Sequence, residues 1–191
     1  CGSGLEQSPI NLTKEDVKTS TAMEVNGFAY TNYPEGKMLK NNGHTIVVND
    51  ITDGTLQIDF FDRSKSNFNP LQFHYHAPSE HTVNGETYEL EMHIVHKYAE
   101  TDSKLGAVIG IFFRLDEKAA DNDLLAQVIL NSGDLTADVT EVKTGPLNLN
   151  NFLGTLDFTN YWQYSGSLTT PPCSEGIKWT VLQTPVPINS A

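Results

Sequence analysis

The chain has 191 residues, of which 38% are hydrophobic and 19% are charged, so it is long enough to bury a core and too apolar to be disordered. Its 24 acidic residues outnumber 12 Lys and Arg, and the formal net charge of -12 disfavours nucleic acid and anionic membrane surfaces as partners. No apolar run approaches the roughly 20 residues of a membrane-spanning helix. We therefore expect a globular protein that binds no nucleic acid and inserts into no membrane.

Short β-type segments follow one another along the chain, with turn residues between them. They cover residues 45–50, 56–62, 71–77, 88–98, 107–115 and 178–184. One helix is predicted over 121–130, behind an Asp or Asn cap, with four apolar residues on one face: Leu124, Leu125, Val128 and Ile129. Because no repeat, low-complexity segment or linker divides the chain, one mainly β domain with small helices is expected over residues 1–191.

The segments 71–77 and 88–98 are expected to pair as antiparallel strands, because Asn84-Gly85 between them is a strong turn signal. Side chains alternate along a strand, so His74 and His76 share a face, and His93 on the neighbouring strand can join them. Three histidines around a fourth, open position are the pattern of a catalytic zinc site. The hairpin therefore predicts a metal centre.

Two polar residues have the spacing to orient these imidazoles: Gln72 lies two residues before His74, and Glu91 lies two before His93. An isolated His-x-His pair is more often an exposed strand face than a metal site, and the convergence with His93 is what favours zinc. Two further histidines fall off the shared face and are interpreted as structural, hydrogen-bonded residues: His81 and His96.

The two cysteines, Cys1 and Cys173, lie near opposite ends of the chain. An even count without a CxxC spacing fits either two unrelated buried thiols or one long-range disulfide formed in an oxidising compartment. The spacing by itself leaves both interpretations open.

Four segments together resemble the α-class carbonic anhydrases, in the same order and at matching separations. They are "EQSPINL" (6–12), "NNGHTIVVN" (41–49), "LQFHYHAPSEHTVNGETYELEMHIVHK" (71–97) and "YSGSLTTPPCSEGIKWTVL" (164–182). The resemblance implies a large central sheet, mixed and mostly antiparallel, with a few short peripheral helices. The surroundings of the cysteines resemble secreted bacterial, algal or ciliate members, which implies a Cys1–Cys173 disulfide and a periplasmic or extracellular location.

The resemblance implies Zn²⁺ as cofactor and reversible hydration of carbon dioxide to bicarbonate and a proton, carried out by a zinc-bound hydroxide. Thr169 would orient this hydroxide, because a threonine that donates its proton to Glu80 can only accept from the hydroxide. By position, three residues match the zinc ligands and two match their orienting partners: His74, His76 and His93, with Gln72 and Glu91.

Further positions match the family's proton shuttle and its substrate pocket. His44 matches the shuttle histidine, and histidine suits proton transfer at neutral pH because the pKa of an unperturbed imidazole is near 6.5. Sulfonamides and small anions are expected to inhibit. The wall of the pocket is predicted to contain six residues: Val95, Val108, Leu168, Thr170, Ile177 and Trp179.

The resemblance also implies further residues before Cys1 and after Ala191, because family members extend beyond both positions. A domain without those segments could be a catalytically weak or silent carbonic anhydrase-like binding module, and this is the alternative function. The presence of the three histidines together with Thr169 and Glu80 favours the enzyme. Another class of zinc hydrolase is disfavoured because the chain has no HExxH helix.

Overall fold

The computed structural model describes residues 4–13, 25–59, 65–101, 104–136 and 140–189. Two helices lie in this part of the chain, α1 (Asp123–Ser132) and α2 (Leu149–Gly154). The strands in chain order are β1 (Asn11–Leu12), β2 (Val25–Tyr30), β3 (Met38–Asn41), β4 (Ile46–Asn49), β5 (Gly54–Asp59), β6 (Lys65–His76), β7 (Thr82–Val83), β8 (Leu90–Tyr98), β9 (Leu105–Leu115), β10 (Glu141–Lys143), β11 (Tyr161–Ser167), β12 (Glu175–Leu182) and β13 (Val186–Ile188). Neither helix is long and apolar enough to cross a membrane.

Eleven of these strands form one large sheet, with the central order β10-β3-β4-β6-β8-β9-β12-β11. Strand β5 also pairs with β6, β2 pairs with β5, and β13 pairs with β9, while β1 and β7 form a separate parallel pair. Within the large sheet β9 runs parallel to β12 and β13, and the other pairs are antiparallel. The predicted fold class, a large mixed and mostly antiparallel sheet with short helices, is confirmed. The assignment of residues 1–191 to one domain stays a prediction.

Each of the six predicted β segments overlaps a strand, and the segment 56–62 continues beyond Asp59 into residues outside the description. The largest difference is β6, which begins at Lys65 rather than at residue 71. Pro70 explains the difference: the pairing of β6 with β8 shifts between Pro70 and Gln72, and a proline within a strand normally marks such an irregularity.

The large sheet has an apolar cluster on each face. The larger cluster includes Phe73, Ile94 and Ile109, and both helices pack against it. The smaller cluster includes Val95, Val108 and Trp179 and lies on the opposite face. Successive side chains of a strand point to opposite faces, so residues 74, 93 and 95 face the smaller cluster while 73 and 94 enter the larger one.

Helix α1 begins at Asp123 rather than at residue 121, where it was predicted to begin. Asn122 is the N-cap, and its side chain accepts a hydrogen bond from the backbone N–H of Leu125. Leu124, Leu125 and Val128 are buried as predicted. Ile129 was expected on the same face and is 58% exposed, so that prediction is wrong. The apolar stripe of the helix is narrower than the sequence suggests, because residue 129 lies 100° around the axis from residue 128.

Candidate active site

The hairpin of β6 and β8 brings the three predicted ligands together. His74 is directly opposite His93 in the pairing of the two strands, and His76 is opposite Glu91. The ring centroids are 4.9 Å apart for His74 and His76, 5.2 Å for His74 and His93, and 4.7 Å for His76 and His93. One nitrogen from each ring lies within 4.8 Å of the other two. Glu80, on the following loop, is not a member of this group.

Neighbouring polar groups determine which nitrogen of two of these rings is available. Gln72 Oε1 lies 2.8 Å from Nδ1 of His74, which leaves Nε2 of that ring for a ligand. Glu91 Oε1 lies 3.0 Å from Nε2 of His93, which leaves Nδ1. The two predicted pairings are therefore present as contacts. No hydrogen bond orients the ring of His76 within the described residues, and its buried Nε2 is without a partner there.

The surroundings of His74 and His76 keep these two imidazoles neutral. Burial, with smaller contributions from His93 and His76, lowers the pKa of His74 to about 2. Burial and His93 also lower the pKa of His76. A neutral imidazole has the unprotonated nitrogen that a transition metal requires. The three converging nitrogens of His74, His76 and His93 fit a Zn²⁺ ion with a fourth position left for water.

Glu91 is a buried carboxylate at the junction of two imidazoles. Its Oε2 accepts the backbone N–H groups of Glu80 and His81, both at 2.9 Å, and its Oε1 lies 2.7 Å from Nδ1 of His81. Burial acts to raise the pKa of Glu91, but the neighbouring His93 and His81 outweigh it and hold the pKa below its usual value. A proton on Nε2 of His93 would face Glu91 across the 3.0 Å contact and would leave Nδ1 as the metal-binding nitrogen.

His81 is fully buried and both of its ring nitrogens are engaged, Nδ1 with Glu91 and Nε2 with the Tyr164 hydroxyl at 2.6 Å. His81, Glu91 and His93 are close enough to hold a metal ion as well. Nδ1 of His81 and both oxygens of Glu91 already have hydrogen-bond partners, so we assign the metal position to His74, His76 and His93. The interpretation of His81 as a structural, hydrogen-bonded histidine agrees with these contacts.

Glu80 and Thr169 lie beside the triad, and no hydrogen bond joins them within the described residues. Oε2 of Glu80 is 3.4 Å from Nε2 of His76 and 3.9 Å from Nδ1 of His93. This oxygen is buried and has no hydrogen-bond partner within the described residues. Thr169 lines the same cavity as His74 and His93. The predicted hydrogen bond from Thr169 to Glu80 is not among the contacts of the described residues.

A cavity of about 150 Å³ opens beside His74, His93 and Thr169. Five of the six predicted wall residues line it: Val95, Val108, Leu168, Thr170 and Trp179. Ile177 does not line it. The side chain of Ile177 is 3% exposed and packs in the apolar cluster with Trp179. Ile177 lies two residues before Trp179 on the same strand, roughly 7 Å away, and this distance is too great for its side chain to reach the cavity.

Leu71 and Leu105 also line the cavity, and the sequence did not predict them. Both lie beside irregularities of the sheet: Leu71 falls in the register shift between Pro70 and Gln72, and Leu105 is next to the shift that follows His96. Strand alternation fails at a bulge, so an interpretation based on alternation overlooks residues there. The proline before Leu71 was the available signal.

His44 lies on the turn between β3 and β4 and is exposed. Asn42 builds this turn, since its Oδ1 accepts the backbone N–H groups of His44 and Thr45. His44 is not part of the cavity wall. His44 precedes β4, whose Val47 is opposite His74 in the sheet, so the turn is connected to the strand next to the triad.

The predicted disulfide involves Cys1, which lies outside the described residues. Cys173 is buried, and no free cysteine occurs in the described part of the chain. The pairing of Cys1 with Cys173 stays a prediction.

Comparison with known proteins gives a consistent result. The family model of eukaryotic-type carbonic anhydrase matches residues 1–191. The chain belongs to this family. It is 39% identical to a carbonic anhydrase of Klebsiella pneumoniae over 194 residues, which is 100% of this chain and 71% of that protein.

Two further relatives show the range of the family. Dioscorin DB3L of Dioscorea polystachya is 35% identical over 96% of this chain, and the match spans 63% of the length of that protein. The solved α-carbonic anhydrase from Thermovibrio ammonificans, in complex with the inhibitor sulfanilamide, has a TM-score of 0.73 and 33% identity, covering 97% of this chain and 74% of that one. The chain thus spans between about three fifths and three quarters of these relatives.

Proposed function

We propose that this member of the carbonic anhydrase family catalyses the reversible hydration of carbon dioxide at a zinc centre held by His74, His76 and His93. The observation that carries the proposal is the convergence of three imidazoles on one hairpin beside a small apolar cavity. When bound, zinc supplies a Lewis acid that makes water acidic enough to give hydroxide at neutral pH.

Thr169 and Glu80 would orient the attacking oxygen. Oε2 of Glu80 has a lone pair that no described residue uses, and a hydroxyl donor on Thr169 would satisfy it. A threonine that donates to a carboxylate can only accept from the nucleophile, which leaves a lone pair of the nucleophile directed at the substrate. In this mechanism Thr169 turns towards Glu80 and gives direction to the attack.

The cavity would receive carbon dioxide. Its wall is dominated by Val95, Val108, Leu168 and Trp179, with Thr170 at one side. Carbon dioxide is small and has no net dipole, so an apolar wall beside the triad suits it better than a charged one. Bicarbonate is an anion, and the same wall offers it no cationic side chain, which favours release of the product.

His44 would transfer the proton that the reaction releases. The exposed position of His44 gives its imidazole access to buffer. We expect His44→Ala to lower the maximal rate of hydration in dilute buffer, by about tenfold or more as for the loss of a general acid-base group. A high concentration of an imidazole buffer should restore the rate. An unchanged rate of His44→Ala in dilute buffer would remove His44 from the mechanism.

The experiment that tests the proposal is stopped-flow hydration of carbon dioxide by the purified 191-residue chain after loading with zinc. Metal analysis of the same sample should give one zinc per chain, and sulfanilamide should abolish the activity. Sulfanilamide is the inhibitor bound to the Thermovibrio ammonificans relative. A sample that holds one zinc per chain and does not exceed the uncatalysed rate would contradict the proposal.

The second candidate is a catalytically weak or silent binding module of the same fold. Two observations favour it: the ring of His76 has no orienting hydrogen bond within the described residues, and no hydrogen bond joins Thr169 to Glu80 there. A missing Thr169–Glu80 hydrogen bond would lower activity and leave metal binding intact, whereas an unoriented His76 would lower metal affinity as well. Bound zinc and tight sulfanilamide binding, without hydration above background, would identify this module.

A periplasmic or extracellular location is also part of the proposal and rests on the predicted Cys1–Cys173 disulfide. The mass of the intact protein should rise by the mass of two carboxymethyl groups when iodoacetate is added after reduction, and should not change without reduction. Alkylation of the unreduced, unfolded protein would contradict the disulfide and remove the argument for an oxidising compartment.

A further inference from the structure

Residues 4–13 form a strap that is hydrogen-bonded along its length to β11, β12 and the loop before β8. Near its start, the backbone N–H of Glu6 and the side chain of Gln7 donate to Oε1 of Glu175. Near its end, β1 pairs with β7, and the carbonyl of Thr13 accepts from the indole of Trp162. The strap is therefore docked at both ends, outside the candidate metal site.

Ser8 is the buried residue at the centre of the strap's contact with β11, with an exposed fraction of 9%. Its backbone N–H donates to Oγ of Ser167 at 2.9 Å, and its own Oγ accepts the Ser167 N–H at 3.1 Å. The Tyr164 hydroxyl donates to the same Oγ at 2.8 Å. A side chain at Gly166 would place its Cβ 2.2 Å from this Oγ, so the space around the hydroxyl is closed.

A continuous series of contacts leads from this hydroxyl to the metal site. The Tyr164 oxygen lies 2.6 Å from Nε2 of His81, and Nδ1 of His81 lies 2.7 Å from Oε1 of Glu91. The same Oε1 is 3.0 Å from Nε2 of His93. The series Ser8, Tyr164, His81, Glu91 and His93 joins a strap at one end of the sequence to a proposed zinc ligand, and four of its five members are buried.

We propose that Ser8 is a positioning residue for the metal centre. Its hydroxyl fixes Tyr164, Tyr164 fixes the ring of His81, and His81 shares Oε1 of Glu91 with His93. Because one oxygen serves both imidazoles, a change in the position of His81 changes the orientation of Glu91 towards His93. Hydrogen bonds in a low-dielectric interior depend on one another, so the loss of one member reaches the next. This inference rests on the proposed zinc centre.

The competing explanation is that Ser8 only anchors the strap. Gln7 distinguishes the two explanations, because it also anchors the strap, through Glu175 and the carbonyl of Cys173, and does not contact the series. If anchoring were sufficient, Ser8→Ala and Gln7→Ala would affect the metal site alike. If the series of contacts controls the orientation of His93, only Ser8→Ala would affect the metal site.

The test is the rate at which the folded, zinc-loaded protein loses zinc to an excess of EDTA. Loss of a group that orients a ligand typically costs 10- to 100-fold in metal affinity, and Ser8 is three contacts away from Glu91, so we expect about 3- to 10-fold faster loss of zinc from Ser8→Ala. Gln7→Ala should release zinc at the wild-type rate even where its unfolding free energy is lower. The visible spectrum of the Co²⁺-substituted Ser8→Ala protein should also change, because it reports the geometry of the ligands.

Tyr164→Phe interrupts the series at its next member and retains the aromatic ring, so it provides the test if Ser8→Ala does not fold. It should accelerate zinc loss at least as much as Ser8→Ala, and the double variant should lose zinc no faster than Tyr164→Phe alone. Zinc loss from Ser8→Ala at the wild-type rate, or effects that multiply in the double variant, would overturn the inference. Each of these outcomes requires a wild-type chain that holds zinc; a wild-type chain that holds none contradicts the proposed function itself.

Discussion

His93 and His96 are three residues apart on the same strand, and both are buried, yet they face opposite sides of the sheet. His93 lies among polar partners: Glu91 is 3.0 Å from its Nε2 and Glu80 is 3.9 Å from its Nδ1. His96 lies in the larger apolar cluster, where its Nε2 is 2.7 Å from the Tyr30 hydroxyl. Its Nδ1 has no hydrogen-bond partner within the described residues.

The difference between the two histidines shows that burial alone does not identify a metal ligand. Burial lowers the pKa of His96 to about 3, and it lowers the pKa of the proposed ligand His74 in the same way. What separates them is convergence. Nitrogens of three imidazole rings approach one another on the face of the sheet that carries the triad and the cavity, which we call the site face. On the opposite, apolar face, His96 is the only imidazole among the described residues. We therefore expect substitutions on the site face to change zinc affinity and activity, and substitutions on the apolar face to change the free energy of unfolding.

The largest expected effect is on the site face. His93→Ala removes one of three ligands, so zinc affinity should fall by more than about 100-fold, beyond the loss typical of orienting partners, and hydration of carbon dioxide should return to the uncatalysed rate. Metal analysis after dialysis and stopped-flow hydration measure the two effects. His96→Gln is the matched control on the other face and should retain one zinc per chain. Loss of zinc from folded His96→Gln as well as from folded His93→Ala would contradict the assignment of the metal site to one face of the sheet.

The next effect belongs to the apolar face and appears as a pH dependence of stability. The folded-state pKa of His96, about 3, lies below the ordinary value near 6.5, so between these two values the unfolded chain binds a proton that the folded protein does not. The stabilising contribution is complete above about pH 6.5 and is lost as the pH falls towards 3. The unfolding free energy should decrease by about 2 kcal/mol between pH 6 and pH 4 on account of this residue.

Urea denaturation at several pH values measures this contribution as the difference between wild type and His96→Gln. The variant should have a flatter pH dependence by about 1 kcal/mol per pH unit. Ile94→Val, on the same strand and face, serves as the control: it lowers the stability of the core but removes no titrating group, so its pH dependence should match wild type. Parallel curves for wild type and His96→Gln would contradict the assignment.

A smaller effect tests where the apolar face ends. Helix α1 covers that face through Val128, which is 4% exposed, whereas Ile129 is 58% exposed. Val128→Ala should lower the unfolding free energy by about 2 kcal/mol, and Ile129→Ala by less than about 0.5 kcal/mol. Urea denaturation at one pH measures both. Equal losses of unfolding free energy in the two variants would support the broader apolar stripe that the sequence predicts.

The sequence predicts the sheet and the ligand triad because both depend on short-range regularities. Strand alternation and the Asn84-Gly85 turn are sufficient to bring His74 opposite His93, and the six predicted segments all overlap strands. Prediction fails where the regularity fails: β6 is longer than expected across Pro70, and Leu71 enters the cavity beside the resulting register shift.

Contacts between residues distant in the sequence could not be predicted from spacing. Ser8 and Tyr164 are separated by 156 positions, and no local pattern indicates that their hydroxyls meet. Similarly, Ile177 and Trp179 have the same alternation phase, but only Trp179 reaches the cavity. The family resemblance placed both on the wall, and side-chain packing, which depends on the complete fold, separated them.

The smallest predicted effect concerns the partner of a ligand rather than the ligand itself. Gln72 Oε1 lies 2.8 Å from Nδ1 of His74, and this contact fixes the ring with Nε2 free for the metal. Gln72→Ala leaves the ring free to rotate and to change tautomer, so zinc affinity should fall by about tenfold, near the lower limit for orienting partners. Competition with a chromophoric chelator measures this change, and urea denaturation confirms that the variant is folded.

The matched control for Gln72→Ala is Gln163→Ala. Gln163 is also a glutamine on a strand of the sheet; its exposed fraction is 8%, and its amide atoms have no hydrogen-bond partner within the described residues. It pairs with Thr180 across the strands, away from the triad, so removal of its amide should leave zinc affinity unchanged. Equal zinc affinity in wild type and Gln72→Ala would mean that the site face holds His74 by packing alone. That result would mean that the two faces differ only in the convergence of the three imidazoles, and that the orienting partners contribute nothing to the difference.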